Sequence, residues 1–206
     1  MPPLRRSLRL LSSENKASLK PPNTPPIKVE NKNVKHKTAE STQYWLMKAE
    51  PDSRIVKGVD VKFSIDDLQA MKDSTSPWDG VRNYEARNIM RDKMRAGDKA
   101  LFYHSNCKEP GIAGIITIVR CGYPDYTAFD INHPYYDPKS DKSSPKWYMV
   151  DVKFERKFGK VLALNDLKQH VQLEEMSLIK RGRLSVQPVR NSEYDYIVSL
   201  ASESSQ

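Results

Sequence analysis

The run Trp78-Asp79-Gly80-Val81-Arg82-Asn83-Tyr84-Glu85-Ala86-Arg87-Asn88 sets a large aromatic on a glycine turn. Two arginines and two asparagines follow it where helical periodicity begins. Farther on, Phe102-Tyr103-His104-Ser105-Asn106 gathers aromatic, imidazole, hydroxyl and amide groups at the end of an apolar run. Groups of these types can stack a planar ring and read its edge by hydrogen bonding.

Each group has a plain alternative. Trp78 fits a core, but Pro77, Asp79 and Gly80 make a turn around it, and a ring on a turn faces a cleft more readily than a core centre. Gly80 lets a backbone amide approach a bound group closely. Arg82, Asn83, Arg87 and Asn88 cluster where charge and free N–H groups suit a phosphate; alternatively Asn83 is an N-cap and the arginines are solvated. Arg91 and Lys93 extend the basic face, whereas Glu85 and Asp92 dilute it. Tyr103, His104, Ser105 and Asn106 form a second wall, its hydroxyl and amide suited to a base edge or an oxidised substituent. His104 reads as a structural imidazole or pocket donor rather than a general base.

Lys48 and Glu50 follow the first strand, as a salt-bridging surface turn or as groups at the mouth of a cleft. On a late strand Ser185 and Gln187 share one face, turned either into a pocket or outward along an edge. Trp45 and Trp147 lie inside strands and are expected in the core. His36, His133 and His170 are scattered, and no His/Cys/Asp spacing suggests a metal. Neither a phosphate loop nor a Gly-x-Ser-x-Gly elbow is present.

These groups need a scaffold. The sequence predicts strands at Tyr44–Lys48, Ala100–His104, Ile112–Val119, Trp147–Phe154 and Leu184–Val189. Helices are expected after Ser64 (a capping box with Asp67), near Asn83, over Leu164–Val171 and Glu174–Lys180, and from Ser192. Strands interrupted by short helices, without a βαβ repeat, argue for an α+β domain on a partly closed barrel. A Pro-, Asp- and Tyr-rich connection, Tyr123 to Pro145, is too long for a hairpin.

Composition divides the chain. Of a net charge of +8, residues 1–42 carry most, with nine Lys/Arg against three Asp/Glu. That stretch has six of the 14 prolines, no glycine and no aromatic, so it has little to bury and is expected to be a disordered basic tail. A folded domain is expected over 43–203. Two isolated thiols, Cys107 and Cys121, suit a reducing compartment. The absence of a membrane-length apolar run or a secretory leader suits a soluble intracellular chain. Arg5-Arg6-Ser7-Leu8-Arg9 and Lys35-His36-Lys37 suit nuclear import or simple solvation.

Tyr44-Trp45-Leu46-Met47-Lys48-Ala49-Glu50-Pro51, the Trp78 and Phe102 motifs, and Leu184-Ser185-Val186-Gln187-Pro188-Val189 together resemble the EVE domain from about Tyr44 to Leu200. The resemblance implies a PUA-like pseudo-barrel with Lys48 and Glu50 at its mouth, and a reader of modified bases. The expectation is then a monomeric nuclear protein that binds DNA carrying an oxidised cytosine, 5-hydroxymethylcytosine first, with no cofactor and no catalysis. Trp78 would stack the base, Ser105 and Asn106 would read its edge, and Arg82, Arg87 and Lys48 would hold the backbone. Two alternatives stand beside it: an enzyme on a modified base or nucleotide with His104 and Glu50 as acid and base, and an RNA-binding adaptor.

Overall fold

A computed structural model describes residues 42–203; the tail expected over 1–42 lies outside them apart from Thr42. Eight strands, β1 (Tyr44–Ala49), β2 (Ile55–Val56), β3 (Val59–Asp60), β4 (Thr75–Pro77), β5 (Lys99–His104), β6 (Gly111–Pro124), β7 (Tyr148–Ala163) and β8 (Val186–Val189), alternate with short helices. The helices are α1 (Ile65–Ala70), α2 (Tyr84–Asn88), α3 (Leu164–Leu167), α4 (Ser177–Lys180) and α5 (Asn191–Glu203). Apart from the β2–β3 hairpin, the strands form one mixed sheet in the order β4-β7-β6-β5-β1-β8.

Inside the sheet lies the parallel pair β1 and β5, in register from Tyr44 opposite Lys99 to Ala49 opposite His104. Their C-terminal ends therefore lie side by side. Alternation sends Trp45, Met47, Ala100 and Phe102 to one face, and Leu46, Leu101 and Tyr103 to the other. The first face packs with Ile65 and Leu68 of α1 and Ala86 of α2. Trp78, just past the β4 edge, and Val186, on the β8 edge, belong to that same core, so the sheet curls around it. Register shifts between β5 and β6 and along β6 and β7 supply the bends. The second face is covered by Leu167, Leu173, Met176, Leu178, Tyr194 and Ile197. The result is the expected α+β pseudo-barrel of mixed strands with short flanking helices.

Local chemistry sets the helix starts. The Ser64 hydroxyl accepts the Asp67 N–H while Asp67 accepts the Ser64 N–H, the capping box expected there. Asn83 caps α2 by accepting the Ala86 N–H at 3.0 Å. That helix runs into a π-helical turn, Ile89–Lys93, and Gly97 follows at φ +97°. Trp45 is fixed by Asp98, a buried carboxylate that accepts the indole N–H at 2.9 Å and the backbone N–H groups of Gln43 and Arg95.

Three element expectations need correction. Strands β6 and β7 run to Pro124 and Ala163, well past the expected apolar runs, because bulges break their alternation. The stretch 164–180 forms α3, a 3-10 turn at Val171–Leu173 and α4 instead of two longer helices. Ser192 does not cap α5: the helix starts at Asn191, and Glu193 accepts the Arg190 N–H at 2.7 Å. No helix of the described residues is long and apolar enough to cross a membrane, and among them no group of three or more His, Cys, Asp or Glu is placed to hold a metal ion.

Candidate functional site

The candidates from the two central strands meet at the C-terminal ends of β1 and β5. Ser105 donates both its backbone N–H (2.8 Å) and its hydroxyl (3.1 Å) to the Ala49 carbonyl, tying the two strand ends together. Asn106 follows in a left-handed conformation, φ +51°, with its amide exposed. His104 Nε2 accepts the Ile65 N–H at 3.2 Å, so the proton of the neutral ring is on Nδ1 and the imidazole holds the start of α1. Burial pushes its pKa below the ordinary histidine value. Glu50 is bridged to Arg54, which is the salt-bridging turn. Tyr103 is buried, and that burial pushes its phenol up to about 12.

Trp78 does not face an open cleft. It is only 6% exposed, its N–H continues the β4–β7 ladder to the Val150 carbonyl, and its ring lies edge-on to Phe63 and Phe102. The turn begins after it, at Gly80 (φ +78°). The half-buried aromatics near this end are Phe63, whose N–H donates to the Glu50 carbonyl, and Tyr135. A Cβ on Gly80 would stand 2.5 Å from the Tyr135 ring, so only glycine lets that ring lie down on the loop. Burial raises the Tyr135 pKa, with Arg54, Glu50, Asp79 and Arg82 all near enough to act on it.

The arginines expected to hold phosphate are engaged within the domain. Arg82 pairs at 2.7 Å with Asp125, whose side chain has no exposure, and donates to the Tyr135 carbonyl. Arg87 donates to the Lys146 carbonyl and to Asn88 Oδ1, and lies over the Tyr84 ring. Both are clamps for the Tyr123–Pro145 connection and its end. The cap role of Asn83 is the plain one described above.

Lys48, Ser185 and Gln187 converge instead beneath the loop Lys180–Leu184. Ser185 lies just before β8, its carbonyl taken by the Lys48 N–H at 2.9 Å. The Lys48 ammonium donates to the Gly182 carbonyl at 2.7 Å and sits 5.2 Å from the Tyr103 ring centre; burial lowers its pKa. Gln187 is fully buried and donates to the Arg181 and Leu184 carbonyls. Above them an open groove of about 500 Å³ separates this loop from Asn83 and Glu85 of the α2 end.

Sequence reasoning missed Phe63, Tyr135, Asp125, Arg181 and Arg183. Phe63 carried a signal: it precedes the Ser64 cap, four residues after which comes Leu68, the spacing of a hydrophobic staple. Arg181-Gly182-Arg183 carried another, two cations on a glycine. Asp125 and Tyr135 carried none, since their partners lie far away in sequence.

Comparison with known proteins follows the same lines. The EVE domain model matches residues 43–200. Thymocyte nuclear protein 1 of Homo sapiens is 52% identical over 167 residues, covering 77% of this chain and 74% of the relative. That of Danio rerio is 51% identical over 183 residues, 85% and 79% of the two chains. Among solved structures, human THYN1 protein in complex with 5-methylcytosine-containing DNA gives a TM-score of 0.75 at 51% identity, over 78% of this chain and 98% of that one. A hypothetical protein from Leishmania major gives 0.74 at 51% identity, over 82% and 100%. With half of its residues shared along nearly the whole described span, the chain belongs to the EVE domain family.

Proposed function

We propose that this protein is a monomeric nuclear reader of DNA that carries a modified cytosine. The carrying observation is that a relative 51% identical over 78% of this chain has been crystallised with 5-methylcytosine-containing DNA. The C-terminal ends of β1 and β5 support the reading, because half-buried aromatic rings and polar edge groups both lie close to Ala49 and Glu50 there. Extruding a base from a duplex costs a few kcal/mol, so stacking and edge contacts must exceed that before phosphate contacts count. Phe63 and Tyr135 offer ring surface there, and the exposed Asn106 amide with the Ser105 hydroxyl oxygen offers hydrogen-bonding edges. A hydroxymethyl substituent adds a donor and an acceptor for them to meet, so 5-hydroxymethylcytosine is the first modification to test.

Recognition without turnover is the better match to the geometry. Glu50 is occupied by Arg54, and His104 is occupied as an acceptor for the Ile65 N–H. The nuclear assignment accords with the name of the relatives, thymocyte nuclear protein 1.

The test is a titration of the full-length protein against duplexes that differ at one cytosine: unmodified, 5-methyl or 5-hydroxymethyl. At least a tenfold preference for one modified duplex is expected, and equal affinities overturn the proposal. Competition by RNA of the same sequence at matched salt tests the RNA alternative. Mass analysis of the recovered duplex tests the enzymatic one.

A further inference from the structure

Given that the protein reads DNA, Arg82 and Arg87 are poorly placed to hold its backbone, since both guanidinium groups are bound to carbonyls and side chains of the domain itself. We propose that the phosphate grip is the groove between the Lys180–Leu184 loop and the α2 end, where Arg181 and Arg183 bind the DNA backbone and Glu85 holds Arg181 as an internal stand-in for phosphate. This rests on the reader assignment and names the part of the surface that serves it.

The geometry of one ion pair carries the idea. Arg181 binds Glu85 through two parallel N–H···O bonds of 2.6 Å each, across the groove. A phosphate presents the same pair of acceptor oxygens to the same planar fork. Both partners are about half exposed, 52% and 48%, and an exposed pair of this kind contributes little net stability. Exchanging the carboxylate for a phosphate therefore disturbs the fold hardly at all. Arg183 is exposed and has no ion pair among the described residues, while Lys180 is shared with Glu175 at 2.8 Å.

The loop that carries these cations is fixed from below. Gln187 donates one amide to two carbonyls, Arg181 at 2.8 Å and Leu184 at 2.9 Å, and Lys48 donates to the carbonyl between them, Gly182, at 2.7 Å. Gln187 Oε1 is left buried with no hydrogen-bond partner, so the side chain is committed to the loop at the expense of its own oxygen. A loop pinned by three carbonyls holds its cations near a binding geometry before DNA arrives, which lowers the ordering cost of association. The pinning also ties the groove to the ends of β1 and β5: Lys48, which reaches Gly182, immediately precedes Ala49, whose carbonyl receives Ser105.

The experiment is fluorescence anisotropy of the full-length protein with a duplex carrying one 5-methylcytosine and with its unmodified twin, each over a series of salt concentrations. Arg181→Gln and Arg183→Gln should weaken both duplexes by the same factor. Each should flatten the dependence of log affinity on log salt by about 1, the signature of one lost phosphate contact. Glu85→Gln should tighten both duplexes, and Arg181→Lys, which keeps the charge, should retain the slope. Lys142→Gln, an exposed cation of the long connection, is the control and should change nothing. Unchanged slopes in both arginine variants overturn the proposal, as does a loss confined to the modified duplex. If slopes shift while the two duplexes bind equally, the groove stands and the modified-base reading falls. If the preference is present and the slopes do not move, the groove alone falls.

Discussion

The Arg82 guanidinium and the Asp125 carboxylate, 43 positions apart in the chain, meet at 2.7 Å, with the Asp125 side chain wholly out of solvent. Asp125 also accepts the Gly80 N–H and the Thr127 N–H and hydroxyl. The pair thus fastens the Trp78–Arg82 loop to the long connection. Removing one partner leaves an unmatched buried charge. Arg82→Leu should lower the unfolding free energy by about 3 kcal/mol, the low end for breaking a buried pair, because Arg82 keeps some contact with water. Urea denaturation measures it. A variant of unchanged stability whose DNA binding lost salt dependence would return Arg82 to the phosphate role.

Gly80 and Tyr135 should prove coupled. Gly80→Ala meets both a left-handed backbone and the Tyr135 ring, and should cost more than about 1 kcal/mol. Tyr135→Ala removes the collision and leaves the backbone strain. In a double-mutant cycle Gly80→Ala should therefore cost less in the Tyr135→Ala background. Additive effects would show that the ring does not rest on this loop.

Trp78 and Phe63 should part company. Trp78 is core, so Trp78→Ala should cost about 3–5 kcal/mol of folding stability, and binding should decline only with the folded fraction. Phe63→Ala, at a half-buried position, should reduce affinity for a modified duplex roughly tenfold to a hundredfold if its ring stacks the base. A denaturation curve beside each titration separates the two. Full stability of Trp78→Ala with lost discrimination would restore Trp78 as the stacking ring.

His104 gives stability a dependence on pH. Burial lowers its folded pKa below the ordinary 6.5, so below that value the unfolded chain binds more protons than the folded one. Its contribution is complete above about pH 6.5 and is lost as pH falls through the folded pKa, where protonation takes away the Nε2 acceptor for Ile65. The melting temperature should fall between pH 7 and pH 5. In His104→Gln, whose side-chain oxygen can still accept, that part of the decline should disappear. An identical pH profile in the variant would remove His104 from the account.

What was legible in the sequence was local. The Ser64–Asp67 box and the Asn83 cap are settled within four residues, by groups that can find no nearer partner. The central strands were legible because Trp45-Leu46-Met47 and Leu101-Phe102-Tyr103 are apolar throughout, as strands buried on both faces must be. Of the candidate residues, those at the strand ends were legible as neighbours, since Ala49, His104 and Ser105 do lie side by side. The roles were not, because each was decided by a distant partner: Asp125 for Arg82, Lys146 for Arg87, Gly182 for Lys48. A cation in a sequence advertises charge, and only the fold says whether the charge is already spoken for.

The position of β1 between β5 and β8 has a consequence for how the chain is made. Its outer hydrogen-bonding edge is filled by Val186–Val189, which follows β1 only after β5, β6 and β7. As the chain leaves the ribosome, Trp45-Leu46-Met47 can pair with β5 early but must wait until β6, β7 and β8 have been made before the other edge is covered. Until then an apolar strand edge is open to other nascent chains. A translation stop before Val189 would release a domain with that edge uncapped, and the product would be an aggregation-prone fragment rather than a smaller reader.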